Sequence, residues 1–191
     1  SNNDIANIIL AFTLAYTIGQ VLAGKLIDVM GTRGGFALMM LVWSAAGAAT
    51  ATARGVAGFA GWRFLLGLGE AGNWPASIKA VAEWFTPRQR ALGNAIFSAG
   101  SSLGAIAAPW LIGGMILRWG WQSAFLLTGA LGVLWLLVWW PLYRPGPEAA
   151  APAAPGQQPQ QPPKGEFLRL LRYRPVWGLI LVRFFTDPVW W

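Results

Sequence analysis

Residues 91–117 read ALGNAIFSAGSSLGAIAAPWLIGGMIL, 27 positions without a charge between Arg90 and Arg118. A helix needs about 20 mostly apolar residues to cross a hydrocarbon core of about 30 Å, and this run exceeds that. It lacks the polar face at helical spacing that a helix of a soluble bundle would carry. Neighbouring runs repeat the pattern. Residues 119–143 are uncharged for 25 positions, as are 5–24 (IANIILAFTLAYTIGQVLAG) and 36–53 (FALMMLVWSAAGAATATA). Residues 58–82 are apolar apart from Arg63, Glu70 and Lys79, and 175–191 apart from Arg183 and Asp187. The expected fold is an all-α polytopic membrane protein. Residues 1–143 are expected to form one bundle of five helices, at about 5–25, 36–53, 58–82, 91–117 and 121–141.

Composition agrees. Of 191 residues, 55% are hydrophobic and 11% charged, less than half the share of about 25% in an average soluble domain. There is no Cys and no His, which removes disulfides, Cys/His zinc sites, a Cys nucleophile and a His general base. No nucleophile–base pair, metal cluster or cofactor motif stands out, so neither an enzyme nor a bound cofactor is expected. The net charge of +7 is spread too thinly to make a nucleic-acid patch. Nor is the first run a secretory leader: Asp4 precedes it where a basic region belongs, and the run is longer than a leader's apolar core.

Basic residues collect in cytoplasmic loops. With residue 1 outside, the inward loops hold Lys25, Arg33, Lys79, Arg88, Arg90, Arg144, Lys164, Arg169, Arg172 and Arg174. The outward loops hold only Arg54 and Arg118. Ten against two sets the expected orientation and accounts for the positive charge without nucleic acid.

Residues 144–172 differ from all the rest. The stretch PGPEAAAPAAPGQQPQQPPKGE is rich in Pro, Ala and Gln and has nothing with which to build a core. It reads as an extended cytoplasmic linker, followed at 167–174 (FLRLLRYR) by a short amphipathic surface helix. Residues 173–191 then read as the truncated start of a second bundle. Leu22, Gly24, Ile27 and Gly31 recur at the same spacing as Leu111, Gly113, Ile116 and Gly120, in a segment of opposite expected orientation. Inverted repeats of this kind mark secondary transporters, although a chain this rich in Leu, Ile and Gly makes four matches a weak signal. Small residues such as Gly67, Gly69, Gly100, Gly104, Gly113 and Gly114 suit close helix packing in lipid.

Arg63 and Glu70 are the most informative residues. A charge at the bilayer centre costs about 2.5–3.5 kcal/mol on insertion scales, so it faces protein or a wet cavity. Seven positions place both on one helix face, about 10 Å apart along the axis. Gly67 between them leaves room for a partner or ligand, and Asn73 and Ser77 continue the polar stripe. A buried carboxylate beside an arginine titrates when the arginine turns to another anion, which is the physical basis of a proton-coupled carrier. The plain alternative is a structural ion pair between helices. Lys79 and Glu83 sit near the cytoplasmic end, where Lys snorkels, and ask for no functional reading. Arg183 and Asp187 can pair at i, i+4. Tyr16 suits packing as well as ligand contact, and Ser98, Ser101 and Ser102 either face a cavity or bond their own helix carbonyls.

The stretch Gly24-Lys-Leu-Ile-Asp28-Val-Met-Gly31-Thr-Arg33 resembles the loop motif between the second and third helices of the major facilitator superfamily. Residues 63–109, RFLLGLGEAGNWPASIKAVAEWFTPRQRALGNAIFSAGSSLGAIAAP, are similar to the anion:cation symporter family within it. The segment RFFTDPVWW (183–191) resembles the seventh helix of bacterial hexuronate transporters. The resemblance places the chain as helices two to six plus part of the seventh of a twelve-helix carrier lacking its first helix. It implies a monomeric carrier in the inner membrane, taking up a sugar acid or other small organic anion together with protons. By the family pattern Glu70 is the protonation site and Arg63 its switching partner. Tyr16 matches a substrate-contacting tyrosine, and Ser101 a polar residue lining the site; Arg63 and Asn73 complete the substrate set. Gly24, Asp28, Gly31 and Arg33 match the conformational loop motif, which steadies one state through a charge–helix-dipole contact. Val29 departs from the pattern, standing where a basic residue is common. The alternatives are a carrier for an aldonate, dicarboxylate or aromatic acid, and a non-transporting membrane scaffold or sensor.

Overall fold

A computed structural model describes residues 2–146, which form helices joined by short turns. The linker from residue 147 on, the second-bundle segment 173–191 and the Arg183/Asp187 pair lie outside the described residues. The helices are α1 (Asn2–Thr50), α2 (Gly55–Glu70), α3 (Asn73–Trp84), α4 (Arg90–Trp119) and α5 (Trp121–Leu142).

α1 holds the first two expected spans as two arms that meet at Gly31, whose backbone (φ 74°, ψ 161°) leaves the helical region. That conformation is essentially reserved to glycine, because any Cβ would clash. The arms run antiparallel, and α2 lies between them. On one side Gly67 of α2 meets Phe12 and Ala15, and Ala71 meets Gly19; on the other, Gly69 meets Trp43 and Gly47 meets Leu66. No loop separates the arms: helix continues through Lys25 and Asp28 up to the glycine itself.

The third expected span, 58–82, is not one continuous helix. Pro75 has no N–H to return to the carbonyl of Ala71, and its ring crowds that carbonyl. The ladder tightens instead, with Gly72 N donating to Gly69 O at 3.3 Å, and resumes with Ala76 N to Gly72 O at 3.1 Å. α2 alone, with 16 residues, rises about 24 Å, short of the core thickness. The break between α2 and α3 falls just after Glu70.

α4 and α5 form a second tight hairpin through Gly120 (φ 82°, ψ 167°). Its backbone nearly matches that of Gly31, the residue it aligns with in the Leu-Gly-Ile-Gly repeat. The repeat therefore ends in the same turn twice. α5 packs on the second arm of α1 through Gly129 and Gly132, where an added Cβ would strike Ala48 and Ser44. Towards the Gly31 end the contact becomes aromatic: Phe36 meets Trp135 and Trp139 at 5.1 Å each, and Trp139 stacks on Tyr143 at 4.0 Å. Ile27, Phe36 and Ala76 form the buried cluster beneath these rings.

The outside is as apolar as the inside. Ile106, Trp110 and Leu117 of α4 are 69%, 83% and 88% exposed, a surface that water would not tolerate but hydrocarbon would. α1, α4 and α5 are each long and apolar enough to cross a membrane. A Cβ added at Gly100, Gly104, Gly113 or Gly114 of α4 would meet nothing within 4 Å, whereas Gly67 and Gly69 are buried against backbone. The space expected beside Gly67 is thus filled by the first arm of α1, and leaves no room for a ligand.

Gly31→Ala is expected to cost about 1–3 kcal/mol through backbone strain, and Gly69→Ala a similar amount through overpacking. Gly61→Ala, mid-helix with nothing within 4 Å of its Cβ position, should be neutral or stabilising by up to about 1 kcal/mol. Denaturation of the purified variants in detergent measures the order.

Candidate functional site

Arg63 and Glu70 both lie on α2, half-buried, but are not in contact. The Arg63 guanidinium sits 5.6 Å from the ring centre of Phe125 on α5, a cation–π approach. Glu70 closes α2 at the break before α3. No carboxylate lies within 4.0 Å of Arg63 among the described residues, and Glu70 acts on it through space.

Asn73 and Ser77, one turn apart on α3, line a pocket of about 380 Å³, within the size range of small-ligand sites. Aromatic rings make its walls: Phe36 and Trp43 on the second arm of α1, Phe97 on α4, Trp135 and Trp139 on α5. The expected stripe is therefore divided, with Arg63 directed to Phe125 and Asn73 and Ser77 directed into the aromatic pocket. Tyr16 stacks on Phe12, rings 5.8 Å apart. Ser101 Oγ and Ser102 Oγ donate to the carbonyls of Phe97 and Ser98, one turn back on their own helix. Of the expected substrate residues, Asn73 lines the pocket; Arg63, Tyr16 and Ser101 are not among its walls.

The loop-motif residues do meet, at the Gly31 end of the bundle. Asp28 pairs with Lys79 of α3 at 2.8 Å, and Lys79 also donates to the carbonyl of Ile27 at 3.2 Å. Arg33 donates through Nε and Nη2 to the carbonyl of Trp140, in the last turn of α5, and its guanidinium covers the Trp140 ring at 4.6 Å. Trp139 Nε1 returns a hydrogen bond to the carbonyl of Arg33 at 3.1 Å. The last carbonyls of a helix lack partners and carry its negative pole, so Arg33 makes a charge–dipole contact. Asp28 meets a cation instead. A Cβ at Gly24 would meet nothing within 4 Å, and Val29 points outward, 86% exposed.

Glu83, set aside on sequence grounds, is the centre of this end. Its two oxygens accept from Thr32 Oγ1 at 2.5 Å and Tyr143 OH at 2.7 Å, tying α1, α3 and the end of α5 together. Burial, then the bond and charge of Glu83, push the Tyr143 phenol above its ordinary range, so it stays a donor. Magnitudes rank these contacts. The Asp28–Lys79 pair, 70% exposed at Asp28 and 32% at Lys79, lies near the surface and is worth about 0–1 kcal/mol. Each hydrogen bond to a charged group contributes about 1.5–3 kcal/mol, so Glu83 and Arg33 hold this end more than the ion pair does. Nearby, Arg90 reaches the carbonyls of Ala82 and Phe85 and caps α3. Thr32, Glu83 and Tyr143 are 51 and 60 residues apart, and no local pattern joins them.

The chain was compared with known proteins. The family model of the Major Facilitator Superfamily matches residues 1–189. Over its whole length the chain is 35% identical to a protein named galacturonate transporter in Dickeya chrysanthemi, covering 58% of that protein. It is likewise 35% identical to the hexuronate transporter of Escherichia coli strain K12, covering 46% of it. A probable L-galactonate transporter of the same strain is 30% identical over 95% of the chain and is 42% covered. The chain thus spans about half the length of these curated relatives. Two antiparallel hairpins turning on equivalent glycines, charges gathered at one end, and a family match over nearly every residue agree: this chain belongs to the major facilitator superfamily.

Proposed function

We propose that the protein is a secondary active transporter that carries a sugar acid, such as a hexuronate, in symport with protons. The observation that carries this reading is Arg63 and Glu70, two opposite charges on one helix of an otherwise apolar bundle, in a chain whose relatives bear the names galacturonate and hexuronate transporter. Arg63 has the charge to hold a carboxylate in a low-dielectric cavity and no resident acid in contact. Glu70 takes the proton, and Arg63 exchanges partners as Glu70 gains or loses it. Tyr16, Asn73 and Ser101 complete the substrate set; the position of Asn73 in the aromatic pocket supports it. A relative named for L-galactonate favours an aldonate as the second substrate reading.

The same proposal sets the protein in the cytoplasmic membrane as a monomer, with residue 1 outside and the Gly31 end inside. The Asp28, Arg33, Lys79 and Glu83 contacts then close the cytoplasmic end of the bundle.

Full-length protein in liposomes should accumulate labelled glucuronate or galacturonate only under an inward proton gradient. Glu70→Gln should abolish accumulation while leaving counterflow exchange largely intact; accumulation equal to the parent's would remove Glu70 from the proton step. Uptake of no organic anion under any gradient would favour a scaffold.

Arg63→Ala should raise KM about 10- to 100-fold, the loss of one charge-assisted contact of about 1.5–3 kcal/mol. A KM unchanged by that substitution would take Arg63 out of the substrate site.

Orientation has its own test, because the chain has no cysteine. Arg54→Cys should react with an impermeant maleimide in intact cells, and Arg88→Cys only after permeabilisation. The reverse pattern would invert the assignment.

A further inference from the structure

A second hollow, about 500 Å³, runs between α5 and the Gly31 turn and second arm of α1, and every residue lining it is apolar or glycine. Its walls include Met30 and Leu41 on one side and Leu137 and Trp140 on the other. These four are between 47% and 68% exposed, so the hollow opens outward as a groove. Gly34 deepens it, since only Met30 comes near where its side chain would be. From Gly34 to Leu41 the groove follows seven residues of helix, about 10 Å, which keeps it within one leaflet of a core about 30 Å thick.

An apolar groove facing hydrocarbon does not stay empty, but apolar contact alone selects no occupant there, because lipid tails are as apolar as leucine. Charge selects. Arg33 lies at the groove's end, its guanidinium over the Trp140 ring that forms one wall. It spends two of its nitrogens on one carbonyl, out of five N–H donors. No carboxylate lies within 4.0 Å of it among the described residues. The nearby acids are engaged elsewhere: Asp28 by Lys79, and Glu83 by the buried Thr32 and Tyr143. Arg144 follows three residues after Pro141, the last lining residue.

We infer that this groove binds an anionic phospholipid, one acyl chain lying between α1 and α5 and the phosphate on Arg33. The inference needs the membrane setting but not the transport reading, and stands if the substrate proves different.

Native mass spectrometry of delipidated full-length protein, offered equimolar phosphatidylglycerol and phosphatidylcholine with identical chains, tests it. The parent should retain phosphatidylglycerol about five-fold over phosphatidylcholine, the factor expected for one arginine at an anionic surface. Arg33→Gln should level the two. Gly34→Leu, which fills the groove and leaves Arg33 in place, should lower phosphatidylglycerol retention at least as far, and excess glycerol phosphate should not displace the lipid. Equal retention by the parent, or a preference that survives Gly34→Leu, overturns the proposal. So does displacement by glycerol phosphate alone, or a lipid-free dimer that Gly34→Leu dissociates, which would make a second copy the occupant.

Discussion

Helix backbones in this bundle come into contact where a side chain is missing, and the architecture rests on that constraint. Between helices in lipid the hydrophobic effect offers no net attraction, so association depends on close van der Waals contact. α2 reaches the first arm of α1 through Gly67 and the second through Gly69, each with backbone atoms where a Cβ would stand. α5 reaches the second arm through Gly129 and Gly132. Because α2 is wedged between the arms, Arg63 and Glu70 are carried at a fixed height in the bundle. The aromatic pocket beside Asn73 exists because Trp135, Trp139 and Phe36 hold the remaining helices apart at the Gly31 end.

That end is held differently. There the helices stop, their last carbonyls lose their partners, and side chains make up the deficit: Arg33 on α5 and Arg90 on α3. Glycine contacts set distances and carry no direction. Hydrogen bonds to carbonyls and to Glu83 set orientation, and release when their partners move.

Much of this was legible in the sequence because it is local. Uncharged runs of 25 and 27 residues announce membrane helices whatever their neighbours, and the loop motif put a reversal between the spans 5–25 and 36–53, though not its contraction to the single residue Gly31. The break after Glu70 was equally local, since Pro75 follows Ala71 by four positions, but the apolar composition of 58–82 concealed it. The role of Glu83 was not legible at all. Its partners come from the far ends of α1 and α5, and a carboxylate near a helix terminus looks the same from sequence whether it faces water or accepts two hydroxyls. Gly67 misled for the opposite reason: an absent side chain reads as space, and only the neighbouring backbone reveals that the space is taken. Arg63 and Glu70 were found by rarity and their spacing along the helix by count, but the approach of the Arg63 guanidinium to Phe125 was not legible.

The two glycine turns bear on how the helices can move. Gly31 and Gly120 each reverse a helix with no intervening loop, so the helices of each hairpin are joined through a single residue and have no slack with which to slide past one another. The connections at 51–54 and 85–89 put several residues between the helices they join. Sliding between neighbouring helices is therefore confined to those two connections, and each hairpin moves as a pair.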